Sequence, residues 1–336
     1  MSKRIPPPSE KQTGAAPVPP SVSAPSRNAQ WVQHAERSNM PMLHIMTWIS
    51  LRLGRRAARV VLSGIAAYFL VFAPAARRAS RQYLARALGR APSAGDSFRQ
   101  FFSFASTIHD RVYLLNGRFD LFSIRVHGQE VIEAALNRGE GVFMVGAHFG
   151  SFEVLRAISH QRPGLRVCML MYEGNARKIN AALRSINPLA EHDVIALGHP
   201  ESMLRLRDAL DEGAIIGMLA DRSLHDDETV CVPFLGEPAR WPAGPWRIAA
   251  LLRKPVVMAL GVYGGGNRYD VYFESLADFS DTDRRARSEA ERAALATYVQ
   301  RLQAHCECEP DNWFNFFDFW SRSAQPSGPP AKPETP

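Results

Sequence analysis

Between Phe122 and Ser275 short apolar runs rich in β-branched and aromatic residues alternate with stretches whose apolar residues recur every three or four positions. The runs at 122–127, 141–147, 165–172, 193–197, 214–220 and 255–263 read as strands. Helices are expected near 129–138, 151–160, 175–186, 200–212 and 244–253. The punctuation agrees. Gly139 and Gly213 stand where helices stop, and Pro200 and Pro245 where they start. Strands alternating with helices must cover both faces of a sheet, which implies an α/β sandwich with a mixed, largely parallel sheet flanked by helices. Gly264-Gly265-Gly266-Asn267 then turns the chain into an alternating run at 269–275, and an antiparallel edge hairpin is expected there. With 336 residues the chain has room for one such domain, set at 96–320, plus appendages. Its first part, 96–120, repeats Phe98, Phe101, Phe102, Ala105, Ile108, Val112 and Leu115 at helical spacing, and Asp110-Arg111 has the form of a structural ion pair.

The flanks differ in kind. Residues 1–30 and 321–336 are rich in Pro, Ser and Ala, and are expected to remain flexible tails. The first of them lacks the apolar centre of a signal peptide. Residues 31–95 form a basic segment: no acid lies between Glu36 and Asp96, but ten arginines do. Within it Val60 to Ala76 carries no charge, and its apolar heart stops at Pro74. A spanning helix needs about 20 apolar residues, and this run is shorter. A helix that enters the membrane without necessarily crossing it, with arginines on anionic headgroups, is the expectation, against the alternative of a buried domain helix. The net charge of +7 suits an anionic surface or an acidic partner. It does not by itself suit nucleic acid, because the arginines flank an apolar run instead of interleaving with aromatics. Four cysteines make no disulfide framework, and His305-Cys306-x-Cys308 has no second ligand pair for a metal.

The chemistry concentrates in Gly141-Val-Phe-Met-Val-Gly-Ala-His148-Phe-Gly-Ser151-Phe-Glu153-Val-Leu-Arg-Ala-Ile158. Here a strand ends and a helix is expected to begin, with Ser151 as N-cap and Glu153 in the first turn. A turn through Gly150 lets Glu153 fold back onto one imidazole nitrogen of His148 and leaves the other free to take a proton. A second acid, Asp221, closes the strand-like run Ala214–Ala220, so His148 and Asp221 share the position beyond the carboxyl ends of strands where ligands bind in open α/β sheets. Backbone amides at Gly150, Ser151 and Phe152 are the expected donors to a developing oxyanion. The start of a helix at Gly244-Pro245 either receives an anion or simply begins a well-capped helix.

His148-x4-Glu153 resembles the His-x4-Asp/Glu motif of the lysophospholipid acyltransferase superfamily, and the chain over about 40–275 is similar to its branch of bacterial lipid A biosynthesis (lauroyl/myristoyl-type) acyltransferases. The resemblance is carried by 141–153 and 214–251, and by the basic stretch Arg77-Arg-Ala-Ser-Arg-Gln-Tyr-Leu-Ala-Arg86, which is similar to the helix after the family's anchor. It implies a glycerolipid acyltransferase-like fold with a membrane-associated N-terminal helix. It implies transfer of a fatty-acyl group from acyl carrier protein or acyl-CoA to a hydroxyl of a lipid or glycolipid, at the cytoplasmic face of a bacterial inner membrane and without a cofactor. His148, Glu153 and Asp221 are then the catalytic set, and Gly150, Ser151, Phe152, Arg222, Gly244, Arg177 and Arg184 the substrate-binding candidates. Arg177 and Arg184 stand in for an arginine of the branch with no clear counterpart here. The branch's C-terminal Trp-x-His-Arg-Arg appears as Trp313-Phe-Asn-Phe-Phe-Asp-Phe-Trp320, which opens the acceptor to other lipids, such as an aryl-polyene-type glycolipid or a lysophospholipid. A serine hydrolase is excluded for want of a Gly-x-Ser-x-Gly elbow. A metallohydrolase would draw on His148, His225, Asp226 and Asp227, and a non-catalytic scaffold of the same fold is the remaining alternative.

Overall fold

The computed structural model describes residues 39–155, 165–172, 186, 193–223 and 228–320. Seven strands form one sheet: β1 (Ser123–His127), β2 (Val142–Gly146), β3 (Val167–Tyr172), β4 (Asp193–Leu197), β5 (Ile215–Leu219), β8 (Pro255–Tyr263) and β9 (Arg268–Asp278). Their order is β1-β9-β8-β2-β5-β3-β4, parallel throughout except where β8 meets β9. The largely parallel α/β sheet expected from the alternation is therefore present. The β8–β9 pair is antiparallel as expected, but it is not the edge. β1 adds itself in parallel beyond β9, because Ser123 N–H bonds to Asn267 O at the hairpin turn and sets the register.

Both faces of the sheet are covered, and the pleat divides them. On β2, Phe143 and Val145 join one apolar cluster, while Val142 and Met144 join the other. The first cluster lies under α2 (Pro74–Ala87), α5 (Pro200–Asp211), α6 (Gly244–Leu251) and α7 (Arg287–Cys308). The second lies under α3 (Ala94–Leu115) and α4 (Gln129–Leu136). Helix α3 starts with a full capping box between Ser93 and Asp96, which satisfies two otherwise orphaned amides. Two elements had no expectation. One is α7, whose Ala294, Leu295, Tyr298, Val299 and Leu302 form a single buried stripe. The other is a separate hairpin, β6 (Thr229–Phe234) with β7 (Glu237–Pro242), closed by Leu235 and Gly236 at positive φ.

The basic segment is helical from Asn39 to Phe72 (α1), then bends by 95° into α2. Pro74 enters at the first turn of α2, where its missing N–H costs nothing and its ring ends α1. Among the residues of α1 whose burial is described, 55 and 57–72, Ala58, Leu62 and Ala66 are the fully buried ones, one narrow stripe. Val60, Val61, Tyr68, Phe69, Val71 and Phe72 are exposed, by as much as 75% at Val60. No described helix is long and apolar enough to cross a membrane alone; only the bent pair Ala57–Phe72 with Pro74–Ala87 meets that test. Two of the arginines expected on headgroups turn inward instead. Arg55 makes a two-point ion pair with Asp110 at 2.7 and 2.6 Å, and Asp110 also accepts from Tyr269 Oη at 2.9 Å. Arg59 donates to Tyr263 Oη at 2.7 Å and to Gly266 O at 2.9 Å. Asp110 therefore pairs with α1 and not with its neighbour Arg111, because consecutive residues on a helix point apart.

Candidate active site

β2 and β5 are adjacent and parallel, with Gly146 opposite Leu219. Two residues past this pair on each strand stand His148 and Asp221. The equal offset brings them together at the carboxyl end of the sheet: His148 Nδ1 lies 2.8 Å from Asp221 Oδ1, and the His148 backbone N–H donates to Asp221 Oδ2 at 3.0 Å. The carboxylate is only 1% exposed. Its Oδ2 also accepts from Trp313 Nε1 at 3.1 Å and from Asn315 Nδ2 at 2.9 Å. Burial pushes the Asp221 carboxyl upward, but His148, its hydrogen bonds and Arg222 outweigh that and hold it well below the ordinary carboxylate range. Asp221 is thus an anion at neutral pH, committed to orienting the imidazole.

His148 is the open member of the pair, with a side chain 31% exposed. Desolvation by the surrounding protein is the largest influence on the ring and lowers its pKa below 6.5; Asp221 opposes this, while Arg222 and Arg111 add to it. The ring is neutral at pH 7. With Nδ1–H donated to Asp221, the lone pair sits on Nε2, which takes no hydrogen bond among the described residues.

Glu153 does not hold the imidazole as the motif suggested. Beyond Ser151 the chain enters a short 3-10 turn, Phe152–Leu155, that carries Glu153 toward α3. There Arg111 Nε lies 2.7 Å from Glu153 Oε1, and Ser151 Oγ donates to Glu153 Oε2 at 3.3 Å. Two of the three amides expected as oxyanion donors are also engaged. Gly150 N–H bonds to Asn312 O at 2.8 Å and Ser151 N–H to Gly261 O at 2.7 Å. Gly150 has φ of +61°, and a Cβ there would lie 2.0 Å from Gly261 O, so only glycine permits this seam between the motif and β8. Phe152 packs inward against Gly217, where an added Cβ would come within 2.9 Å of its ring.

Arg222 turns back to the C-terminal segment. Its Nε donates to Asn315 Oδ1 at 2.7 Å and its Nη2 to Phe314 O at 3.1 Å. Gly244 begins α6, and no hydrogen bond among the described residues joins it to the pair. Arg177, Arg184, His225, Asp226 and Asp227 lie outside the described residues.

The residues missed by sequence reasoning are those of the aromatic segment after α7. Phe314 N–H bonds to His148 O at 2.8 Å, which strings the segment along the site. Trp313 is fully buried against Tyr83, Phe234, Phe319 and Trp320, which fixes its indole N–H on Asp221. Gln100 donates to Trp313 O at 2.6 Å and ties the segment to α3. The rings of Phe101, Phe316 and Phe314 stack in a row, Phe104 meets Phe314 and Phe316 edge to face, and Phe69 of α1 continues the stack at 6.5 Å from Phe101. The apolar face of α1 and the mouth of the site are thus joined by one aromatic wall.

The sequence model of the family described as bacterial lipid A biosynthesis acyltransferase matches residues 32–322. No curated protein sequence matches the chain.

Proposed function

The chain belongs to the bacterial lipid A biosynthesis acyltransferase family and is an acyltransferase; on that footing we propose that it moves a fatty-acyl group from a thioester of acyl carrier protein or coenzyme A to a hydroxyl of a membrane lipid or glycolipid. One observation carries the mechanism: a neutral imidazole held at Nδ1 by a buried carboxylate, with Nε2 open at the end of the sheet. Nε2 takes the acceptor's hydroxyl proton as the oxygen bonds to the thioester carbon. The tetrahedral intermediate collapses by breaking the carbon–sulfur bond, and His148 returns the proton to the departing thiolate. Asp221 remains ionised and stabilises the imidazolium between the two steps. General base catalysis of this kind supplies about 10²–10⁴-fold.

The acceptor is a lipid, and α1 offers the surface on which to meet it. Its uncharged, exposed face leads along the aromatic wall toward His148. With Arg55 and Arg59 engaged inside the protein, Arg78 and Arg81 on the exposed side of α2 are left to meet anionic headgroups, each contributing about 1 kcal/mol. We place the protein at the cytoplasmic face of the inner membrane on this basis. The test is transfer from dodecanoyl-coenzyme A to a lipid A precursor in mixed micelles, read by mass spectrometry, beside fractionation of the full chain after carbonate and high-salt washes. Product from the parent, none from His148→Ala, and protein retained through the salt wash support the reading. An unchanged rate in His148→Ala, or a protein soluble without any wash, refutes the mechanism or the membrane placement respectively.

A further inference from the structure

Three polar groups on or against the turn that follows His148 have no part in that mechanism: Arg111, Glu153 and Ser151. Glu153 is a nearly buried carboxylate, 12% exposed at its side chain, and both its oxygens are engaged, one by Arg111 and one by Ser151. Arg111 is 35% exposed, so the pair is built as an anchored carboxylate holding a guanidinium that reaches solvent. The backbone beneath Arg111 is fixed as well, because Asp110 is locked between Arg55 and Tyr269. The contact with Glu153 is an ion pair at Nε that lacks hydrogen-bond geometry. The Nη donors take no partner among the described residues, and a guanidinium presents these in a fixed fork suited to paired oxygens.

The reaction has a use for such a group beside the amide of Phe152. Negative charge develops on the thioester oxygen, and the amides of Gly150 and Ser151 are spent within the fold. Arg222, the other cation beside His148, is bound to Asn315 and to Phe314 O. Among the described residues Arg111 is a second guanidinium whose charge acts on the imidazole, and it lies within ion-pair distance of Glu153, five residues after His148.

We propose that Arg111 receives an anionic oxygen of the bound substrates beside His148, and that Glu153 is a positioning residue acting through Arg111 and not through the imidazole. This rests on the acyltransfer reading of the site. The oxygen has two sources of the same chemistry, the oxyanion of the tetrahedral intermediate or a phosphate of donor or acceptor, and kinetics separate them. Loss in kcat with KM unchanged identifies the oxyanion, and a rise in KM for one substrate identifies a phosphate on that substrate.

The experiment is a double-mutant cycle in the full chain, with dodecanoyl-coenzyme A as donor and a lipid A precursor as acceptor. Arg111→Gln is expected to lower kcat/KM by about 10²–10³-fold, the range for removing one donor to a developing charge. Glu153→Gln is expected to lower it less. The double variant should be no slower than Arg111→Gln alone, because the carboxylate has nothing left to position. Arg111→Lys keeps the charge and should recover part of the loss, and it answers the question if Arg111→Gln fails to fold. The acid limb of the pH–rate profile should stay in place in Glu153→Gln; removing a carboxylate from the imidazole would move it to lower pH. The proposal is overturned if Arg111→Gln stays within about threefold of the parent, if the two losses multiply, or if Glu153→Gln shifts the limb downward. His148→Ala run beside these is the control: should it transfer normally, the acyltransfer mechanism itself fails, whatever Arg111 does.

Discussion

Replacing Asp221 by Asn keeps the volume of the side chain and removes its charge, and the geometry of its four donors decides the effect. Those N–H groups converge on the carboxylate: His148 Nδ1–H on Oδ1, and the His148 amide, Trp313 and Asn315 on Oδ2. An amide has one acceptor end. If its NH2 faced the three donors on the Oδ2 side, three buried N–H groups would be stranded at about 1–3 kcal/mol each. The carbonyl therefore stays with those three, and the NH2 turns to the imidazole. His148 must then accept at Nδ1, which moves its proton to Nε2 and removes the lone pair that takes the acceptor's proton. A wrong tautomer of this kind lowers kcat by about 10⁴ in the Ser-His-Asp enzymes where the same exchange has been made. The fold should survive, because the three donors to Oδ2 keep an acceptor. The assay is initial rates of thioester consumption with a lipid acceptor, beside thermal unfolding. A variant of normal melting temperature with kcat within about tenfold of the parent would refute the pairing of His148 with Asp221.

The same pair sets the pH dependence. His148 is lowered from 6.5, so kcat/KM should be flat at neutral pH and fall only as pH drops through that lowered value; an acid limb above pH 6.5 contradicts it. Stability runs in the same direction. The unfolded chain binds more protons than the folded one at both His148 and Asp221, so stability is present above their unfolded pKa values and lost on acidification, with Asp221 contributing at the lowest pH. Arg55→Met should cost about 3–5 kcal/mol in chemical unfolding, because it leaves Asp110 buried at 1% exposure with a hydrogen bond from Tyr269 and His109 Nδ1 3.5 Å away, whereas the exposed Arg78→Gln should change stability by no more than about 0.5 kcal/mol. Equal stability of the two variants would remove α1 from the domain's structure.

What the sequence discloses depends on how local the cause is. Strands β4 and β8 have the bounds that apolar runs with flanking turn residues predict. Asp221 was legible as a residue of the site because it closes a strand, as His148 does. Its bond to His148 was not, since that needs β2 beside β5 in the register Gly146–Leu219, which no local pattern states. The proximity of Glu153 in sequence favoured the wrong partner: five residues and a glycine turn permit a contact but do not impose it, and Arg111 from α3 takes the carboxylate instead. Trp313 and Asn315 come from more than 90 positions away to reach Asp221, and their aromatic neighbours made the segment resemble plain core. The β6–β7 hairpin was hidden by Pro233, Pro238 and Pro242, which argue against strands except in an isolated pair with open edges. Arg55 and Arg59 looked like headgroup ligands because a run of arginines shows its charge and not its partners.

The mechanism turns on His148 standing neutral at pH 7, with its proton on Nδ1 against Asp221 and its lone pair on Nε2. Nitrogen NMR of the histidine-labelled full chain in detergent, with the His148 signals assigned by their loss in His148→Gln, reads this directly. A protonated Nδ1, an unprotonated Nε2 and a titration midpoint below 6.5 are expected. A proton on Nε2 at neutral pH, or a ring doubly protonated there, would contradict the mechanism.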